Sequence, residues 1–320
     1  MGIVILNWNN YADTARLLQS MQTVTYASFV TFVVDNGSTD SSIEKLREEF
    51  TQDRTRFVLN GENLGFAAGC NRGIAQALAA GCDYVLLLNN DCIAHDPAFL
   101  GKAVTLAEAD PQCGIVGGKI LFWPETNRIW STGGYIKLWG AEKHIGHGEW
   151  DKGQYQEIKE RKFISGALML IKREVLGRIG MLPEEYFFGK EEWEYSTRAI
   201  KAGFKLLYCP SFTVYHEASH SHSAADPTYV YNGTLSKILY KKRNHSAIFF
   251  YTWLSIYWFY LRVLYWPRVF LQRGIYQRSL DLTTIRRAML MAVRDSARTR
   301  IITRDLLDSF RQKYYRSSGP

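Results

Sequence analysis

The run Tyr84-Val85-Leu86-Leu87-Leu88 constrains this chain more than any other stretch. Its unbroken apolar character predicts a strand buried on both faces, which needs helices above and below the sheet and favours parallel pairing. Asn89-Asn90-Asp91 follows at once. In an open α/β sheet, ligands bind outside the carboxyl ends of the strands. Taken alone, the triplet reads equally well as a polar turn in which Asp91 or Asp96 caps the next helix.

The preceding chain repeats the same unit. Residues 3–6, 29–34 and 56–59 are short apolar or β-branched runs, and helical spacing follows each, from about Asp13, over 41–50 and over 67–80. Strands alternating with helices predict a mostly parallel sheet with right-handed crossovers. Polar clusters follow every strand: Asn7-Trp8-Asn9-Asn10, Asp35 to Asp40, Asn63-Leu64-Gly65 and Asn89-Asn90-Asp91. One such loop is turn chemistry. Four on one edge predict a nucleotide site, with Asn7, Asn9, Asp35, Asn63, Gly65, Asn89 and Asn90 as its polar lining.

No G-x-G-x-x-G follows the first strand and no G-x-x-x-x-G-K-[ST] occurs, which argues against dinucleotide and P-loop chemistry. Gly65, Gly69 and Gly73 recur every four residues. That spacing fits either close packing of helix on sheet or the approach of a diphosphate, with Arg72 as its counter-charge.

These motifs, in this order, resemble the nucleotide-sugar half of inverting family 2 glycosyltransferases, most nearly the rhamnosyltransferase-like branch of bacterial polysaccharide enzymes. The resemblance covers about residues 1–225. It implies an α/β fold of the GT-A type, a Rossmann-like mostly parallel sheet, with residues 1–110 as nucleotide-sugar half and 111–225 as acceptor half. It also implies that Asp35 meets the nucleobase, and that Asn89-Asn90-Asp91 stands where the family's D-x-D motif holds the ribose and a divalent cation. Asn89 brings no charge, so Asp91 carries more of the metal binding. Oxygen-rich ligation suits Mn2+ or Mg2+.

Past residue 110 the regular alternation stops. Residues 114–118 and 120–122 look like strands, and 130–148, rich in Gly, Trp and His, is expected to loop over the site. Ser165-Gly166-Ala167-Leu168 resembles the family's small-residue segment where the sugar approaches, so Gly166 joins the donor set; a buried strand with a glycine bulge is the competing reading. Glu191, Glu192 and Glu194 open a helix that ends at Gly203. Acidic residues there complement the helix dipole. The resemblance further assigns Glu192 as the general base on the acceptor hydroxyl, with Glu191 the second choice, although the family carries the shorter aspartate. Glu194 and Arg198 have the spacing of a helix pair. His216, after a short strand at 212–216, matches a family histidine near metal and diphosphate, whereas His220 and His222 read as loop residues and a zinc site lacks its fourth ligand.

The net charge of +8 is concentrated after Lys237. Residues 246–261 carry no charge but are rich in Tyr and Trp. This run is marginal for a spanning helix and better suited to lying in a membrane interface; packing on the catalytic domain or on a second copy in a homo-oligomer are the other readings. Residues 275–310 read as amphipathic helix, and 226–320 as a helical C-terminal extension. Basic charge also suits nucleic acid, but no nucleic-acid fold is recognisable. Five scattered cysteines without metal spacing and the lack of a signal-peptide pattern predict a cytoplasmic protein, peripheral on the cytoplasmic face of the inner membrane. The expected activity is metal-dependent inverting transfer of a sugar, with dTDP-rhamnose a candidate donor, to a glycan or polyprenyl-linked acceptor. Its rivals are an inactive scaffold of the same fold and a nucleotidyltransferase.

Overall fold

The fold was taken from a computed structural model that describes residues 1–50, 54–139, 142–217, 226–265 and 282–316. These group into two compact units, one from residues 1–183 and 191–217, the other from 184–190 and from 226 onward. In the first unit, β1 (Gly2–Asn7), β2 (Val30–Asp35), β3 (Thr55–Leu59) and β4 (Tyr84–Leu88) run parallel in the order β3-β2-β1-β4. Helices α1 (Tyr11–Met21), α2 (Ser42–Glu49) and α3 (Phe66–Ala79) connect them, as the alternation predicts.

The remaining strands are β5 (Cys92–Ile93), β6 (Cys113–Phe122), β7 (Ile129–Ser131), β8 (Gly134–Ile136), β9 (Glu142–His144), β10 (Lys159–Glu160), β11 (Leu168–Lys172) and β12 (Lys205–His216). Three helices accompany them: α4 (Phe99–Ala109), α5 (Arg173–Ile179) and α6 (Glu191–Lys201). β11 inserts antiparallel between β4 and β6, and β12 runs parallel to β6. Two reversals restore the direction, so β12 points the same way as β4. Its last residue, His216, therefore reaches the same rim as Asn7, Asp35 and Asn89.

Side-chain alternation gives the sheet two cores. Ile3, Ile5, Leu86 and Leu88 face α1 and α4, burying Leu17, Leu18, Phe99 and Leu100. Val4, Val85 and Leu87 face the other way, where Ala67, Ile74, Val175 and Tyr195 from α3, α5 and α6 cover them. Here Gly69 and Gly73 are explained by packing. A Cβ on Gly73 would lie 2.6 Å from Val4 and 2.8 Å from Val34, and one on Gly69 2.7 Å from Leu6.

Three expectations change. Residues 130–148 are not a plain loop: β7 extends the main sheet beside β6, and β8 and β9 form their own hairpin. The strand ending in His216 begins at Lys205, with a register shift between Cys209 and Thr213. Arg198 does not take up Glu194; it donates to the Ile179 and Met181 carbonyls and lies over the Tyr195 ring.

The second unit is helical: α7 (Pro227–Asn244), α8 (Ala247–Phe259) running into a π turn (Tyr260–Leu264), α9 (Leu282–Asp295) and α10 (Arg304–Arg316). The amphipathic run expected over 275–310 is thus two helices with a break at 296–303, and residues 275–281 lie outside the described residues. No described helix is long and apolar enough to cross a membrane.

Candidate active site

The rim holds two kinds of polar residue. Asn7 is wholly buried, and its Nδ2 donates to Asp35, Ser38 and Ser42 at 3.2–3.3 Å. Thr14 donates its hydroxyl to Asn7 Oδ1 at 2.8 Å. Asn7, expected on the donor, has no exposed surface here and fixes the β1 and β2 loops to each other. Asp35 is buried too, and its oxygens accept from the Ser38 hydroxyl and backbone N–H as well as from Asn7. Asn36 donates to Asn63 and the Gly65 carbonyl and accepts from Asn60 and Leu64, which binds the β3 loop to the β2 loop. Asn63 accepts from the Gly65 N–H, and Gly65 sits at φ +85°, the left-handed geometry glycine adopts freely. Exposed Asn9 accepts from the Thr39 N–H at 2.7 Å. Arg72 lies exposed on α3, beyond its first turn.

At the end of β4 the situation differs. Asn89 is half-buried, held by its backbone N–H to the Ala167 carbonyl, and its side chain makes no polar contact among the described residues. Asn90 donates to Thr14 at 3.1 Å and so ties this corner to the Asn7 network. Asp91 and His216 are both buried, with Oδ1 and Nε2 3.0 Å apart. Neither atom is in hydrogen-bonding geometry. Two buried polar atoms that close, with no hydrogen-bond partner of good geometry, are a pair suited to sharing a ligand.

Cys92 completes a group of three metal-ligating side chains whose donor atoms lie within 4.8 Å of one another. Its Sγ points at the Ala167 carbonyl, and burial, with the Asp91 carboxylate adding, pushes its thiol pKa well up. The Asp91 oxygen and the His216 imidazole nitrogen are the donors of this group that suit a divalent cation such as Mn2+.

The backbone braces this corner. Cys92 pairs with His216 across β5 and β12, and Glu217 N–H donates to the Asp91 carbonyl at 2.9 Å. Arg16 of α1 holds the Glu217 carboxylate and pairs with Asp13. Trp130 of β7 sets its ring edge-on to His216, centroids 4.8 Å apart.

The acidic helix start divides its residues. Glu191 is buried, and its charge, second to burial, helps push the Cys70 thiol of α3 up. Glu192 is half-exposed and faces Gly166. A Cβ on Gly166 would meet Phe66 at 3.5 Å and the Glu192 Cβ at 4.0 Å, ordinary contacts, so no protein atom demands glycine there. Gly166 adjoins Ala167, whose carbonyl accepts from Asn89 N–H and Cys92 Sγ. Glu192 thus neighbours the segment whose Ala167 carbonyl is bound by the Asp91 corner.

Trp130 was noticed only as part of a Trp- and His-rich stretch. Asn71, which with Arg72 and Gly73 belongs to the motifs that carry the resemblance, has a role the sequence did not show: it bonds both backbone groups of Leu182, 111 residues away, at 2.9 and 3.0 Å. His220 and His222 lie outside the described residues.

A mostly parallel sheet with its polar residues on the carboxyl rim, an acid–imidazole pair beside them and an acidic helix start define a glycosyltransferase of the GT-A fold. Solved GT-A enzymes match: GalNAc-T7 with UDP, GalNAc and Mn2+ over 100% of this chain and 57% of that one (TM-score 0.63, 14% identity), and a Pyrobaculum calidifontis mannosyltransferase with GDP-Man and Mn2+ over 93% and 86% (TM-score 0.57, 15% identity). The chain belongs to the family described as glycosyltransferase like family 2, whose sequence model matches residues 1–228. It is 27% identical over 247 residues to the N-acetylglucosaminyl-diphospho-decaprenol L-rhamnosyltransferase of Mycobacterium tuberculosis, spanning 71% of this chain and 78% of that protein.

Proposed function

We propose that this glycosyltransferase moves a rhamnosyl residue, with inversion, from dTDP-rhamnose to a polyprenyl-diphosphate-linked glycan during bacterial surface-polysaccharide assembly. It works peripherally on the cytoplasmic face of the inner membrane. The observation that carries the reading is the buried Asp91–His216 pair, 3.0 Å apart on the carboxyl rim yet without hydrogen-bond geometry. The rhamnosyl donor and lipid-linked acceptor are supported by the mycobacterial relative, whose name states both the sugar it transfers and its acceptor.

In this reading Asp91 and His216 hold the cation, Mn2+ or Mg2+, with Asn89 directed at a donor hydroxyl. Bound there, the ion offsets the negative charge that develops on the departing nucleoside diphosphate. Glu192 accepts the proton of the acceptor hydroxyl as its oxygen bonds to the anomeric carbon from the face opposite the leaving group. The bond to the diphosphate breaks as the new glycosidic bond forms, which inverts the centre. Three features keep Glu192 a competent base. It lies in the first turn of α6, where the positive helix end favours its ionised form. It remains half-exposed, and Gly166 leaves room for the sugar beside it.

The test is donor turnover by the full chain. With Mn2+, dTDP-rhamnose is expected to release dTDP slowly, and a chelator to stop it. Release from a different nucleotide sugar alone overturns the donor assignment, and chelator-resistant turnover overturns the metal. Absence of turnover and binding with every donor favours the inactive-scaffold reading.

A further inference from the structure

Trp130 has no part in the proposed chemistry, yet β7 is built around it. In an unbroken antiparallel register residue 130 would pair with Leu121 of β6. Instead Ile120 pairs with Ser131 and Leu121 with Ile129, so Trp130 is the extra residue of a bulge. Bulges re-aim a side chain and recur beside active sites. The backbone around this one is fixed from the far side as well. Ile129 N–H donates to the Glu149 carbonyl and Gly148 N–H to the Ile129 carbonyl, both at 2.8 Å, and the Trp130 carbonyl accepts from His147 Nδ1 at 2.8 Å. The half-buried indole packs against the core that faces α1 and α4 and lies beside the His144 ring, centroids 4.8 Å apart.

β6 lies between β7 and β12, and the bulged side chain reaches across it to His216, with 4.8 Å between ring centroids and 79° between ring planes. Edge-to-face contact is a favoured aromatic geometry. It matters because of what His216 lacks. A metal-bound imidazole ordinarily donates its second ring N–H to a carboxylate or carbonyl, which fixes the plane of the ring. Here Nε2 is the atom beside Asp91, and the buried Nδ1 has no hydrogen-bond partner among the described residues. Rotation about the His216 Cβ–Cγ bond would carry Nε2 away from Asp91, and among the described residues no hydrogen bond from the ring resists it.

We propose that Trp130 is a positioning residue for the cation. Packed edge-on, the indole holds the plane of the His216 ring where a hydrogen bond would ordinarily hold it, so that Nε2 stays directed at the Asp91 corner. The bulge in β7 is the device that brings the indole there. The inference rests on His216 being a cation ligand, and it deepens that reading by naming what orients the ligand.

The experiment is calorimetric titration of Mn2+ into the full chain saturated with nucleoside diphosphate, for the parent, Trp130→Phe and Trp130→Leu. Losing the neighbour that orients a ligand costs a metal site about ten- to a hundredfold in affinity, so Trp130→Leu should bind Mn2+ at least about tenfold more weakly. Trp130→Phe keeps an aromatic ring and should recover most of that loss. At saturating Mn2+, Trp130→Leu should hydrolyse the donor with the parent's kcat and KM, because its defect lies in holding the cation. Unchanged Mn2+ affinity in Trp130→Leu overturns the proposal while leaving the corner as a cation site. An equal loss in Trp130→Phe overturns it too. So does a raised donor KM with cation affinity intact, which would make Trp130 a substrate contact. If the parent itself takes up no Mn2+, the reading of the corner fails and the positioning role fails with it. Should Trp130→Leu not fold, Trp130→Met, unbranched and without a ring, replaces it.

Discussion

The loop after β2 and the corner after β4 use the same residue types on the same rim, yet the protein treats them differently. Around Asp35, polar groups bind one another: Asn7, Ser38, Ser42 and Thr14 form a network of buried and half-buried hydrogen bonds. Around Asp91, buried Oδ1 and the Nε2 of His216 lie 3.0 Å apart without hydrogen-bond geometry, and the Asn89 side chain is uncommitted among the described residues. An unsatisfied buried polar atom costs about 1–3 kcal/mol. A site that must receive a ligand keeps such atoms; a frame that positions the site does not. In the proposed reading the first region frames three loops, and the second is the place they leave for the ligand.

That contrast can be broken by substitution. The largest effect is expected at Glu192, where Glu192→Gln should cut transfer about 10²–10⁴-fold while nucleotide binding holds; unimpaired turnover moves the base elsewhere. Next comes Asn7→Ala, which strands the partners of a saturated buried amide. It should lower unfolding stability by about 2–3 kcal/mol with little change in metal affinity; a stable protein that has lost metal binding would reverse the roles of the two regions. Gly166→Ala should fold normally, since its Cβ meets only ordinary contacts, but raise KM for the donor. An unchanged KM would mean the sugar lies elsewhere.

The smallest effect separates burial from ligand binding. Lys241 of α7 is buried, and burial pulls its pKa from 10.5 down to about 8. Between those values the unfolded chain binds the extra proton, so this group's contribution to stability rises as pH climbs through that window. Lys241→Met should therefore raise the melting temperature by a few degrees at pH 7, and the gain should shrink toward pH 9.5. A pH-independent gain would assign the effect to packing.

Much of the frame was legible because burial writes itself into composition. β4 is apolar throughout since helices cover both its faces, and the alternation of short strands with helices announced the parallel sheet. The site was legible only by residue type. Sequence shows that Asn7 and Asn89 are both asparagines after strands. It does not show that one has all its hydrogen bonds filled within the protein. Asn71 stood out as part of a motif, but its clamp on Leu182 could not be read because that partner lies 111 residues away. β7 to β9 were missed because strands of three residues have no periodicity to detect. Gly69 and Gly73 had two readings until the distances to Leu6, Val4 and Val34 chose packing.

The central claim is that Asp91 and His216 are the part of the rim reserved for the cation. Calorimetric titration of Mn2+ into the full chain saturated with nucleoside diphosphate tests it most directly, comparing the parent with Asp91→Ala, His216→Ala and Asn7→Ala. The account predicts that the first two lose metal binding by at least about tenfold while Asn7→Ala, once folded, titrates like the parent. Unchanged titration in Asp91→Ala and His216→Ala would contradict it.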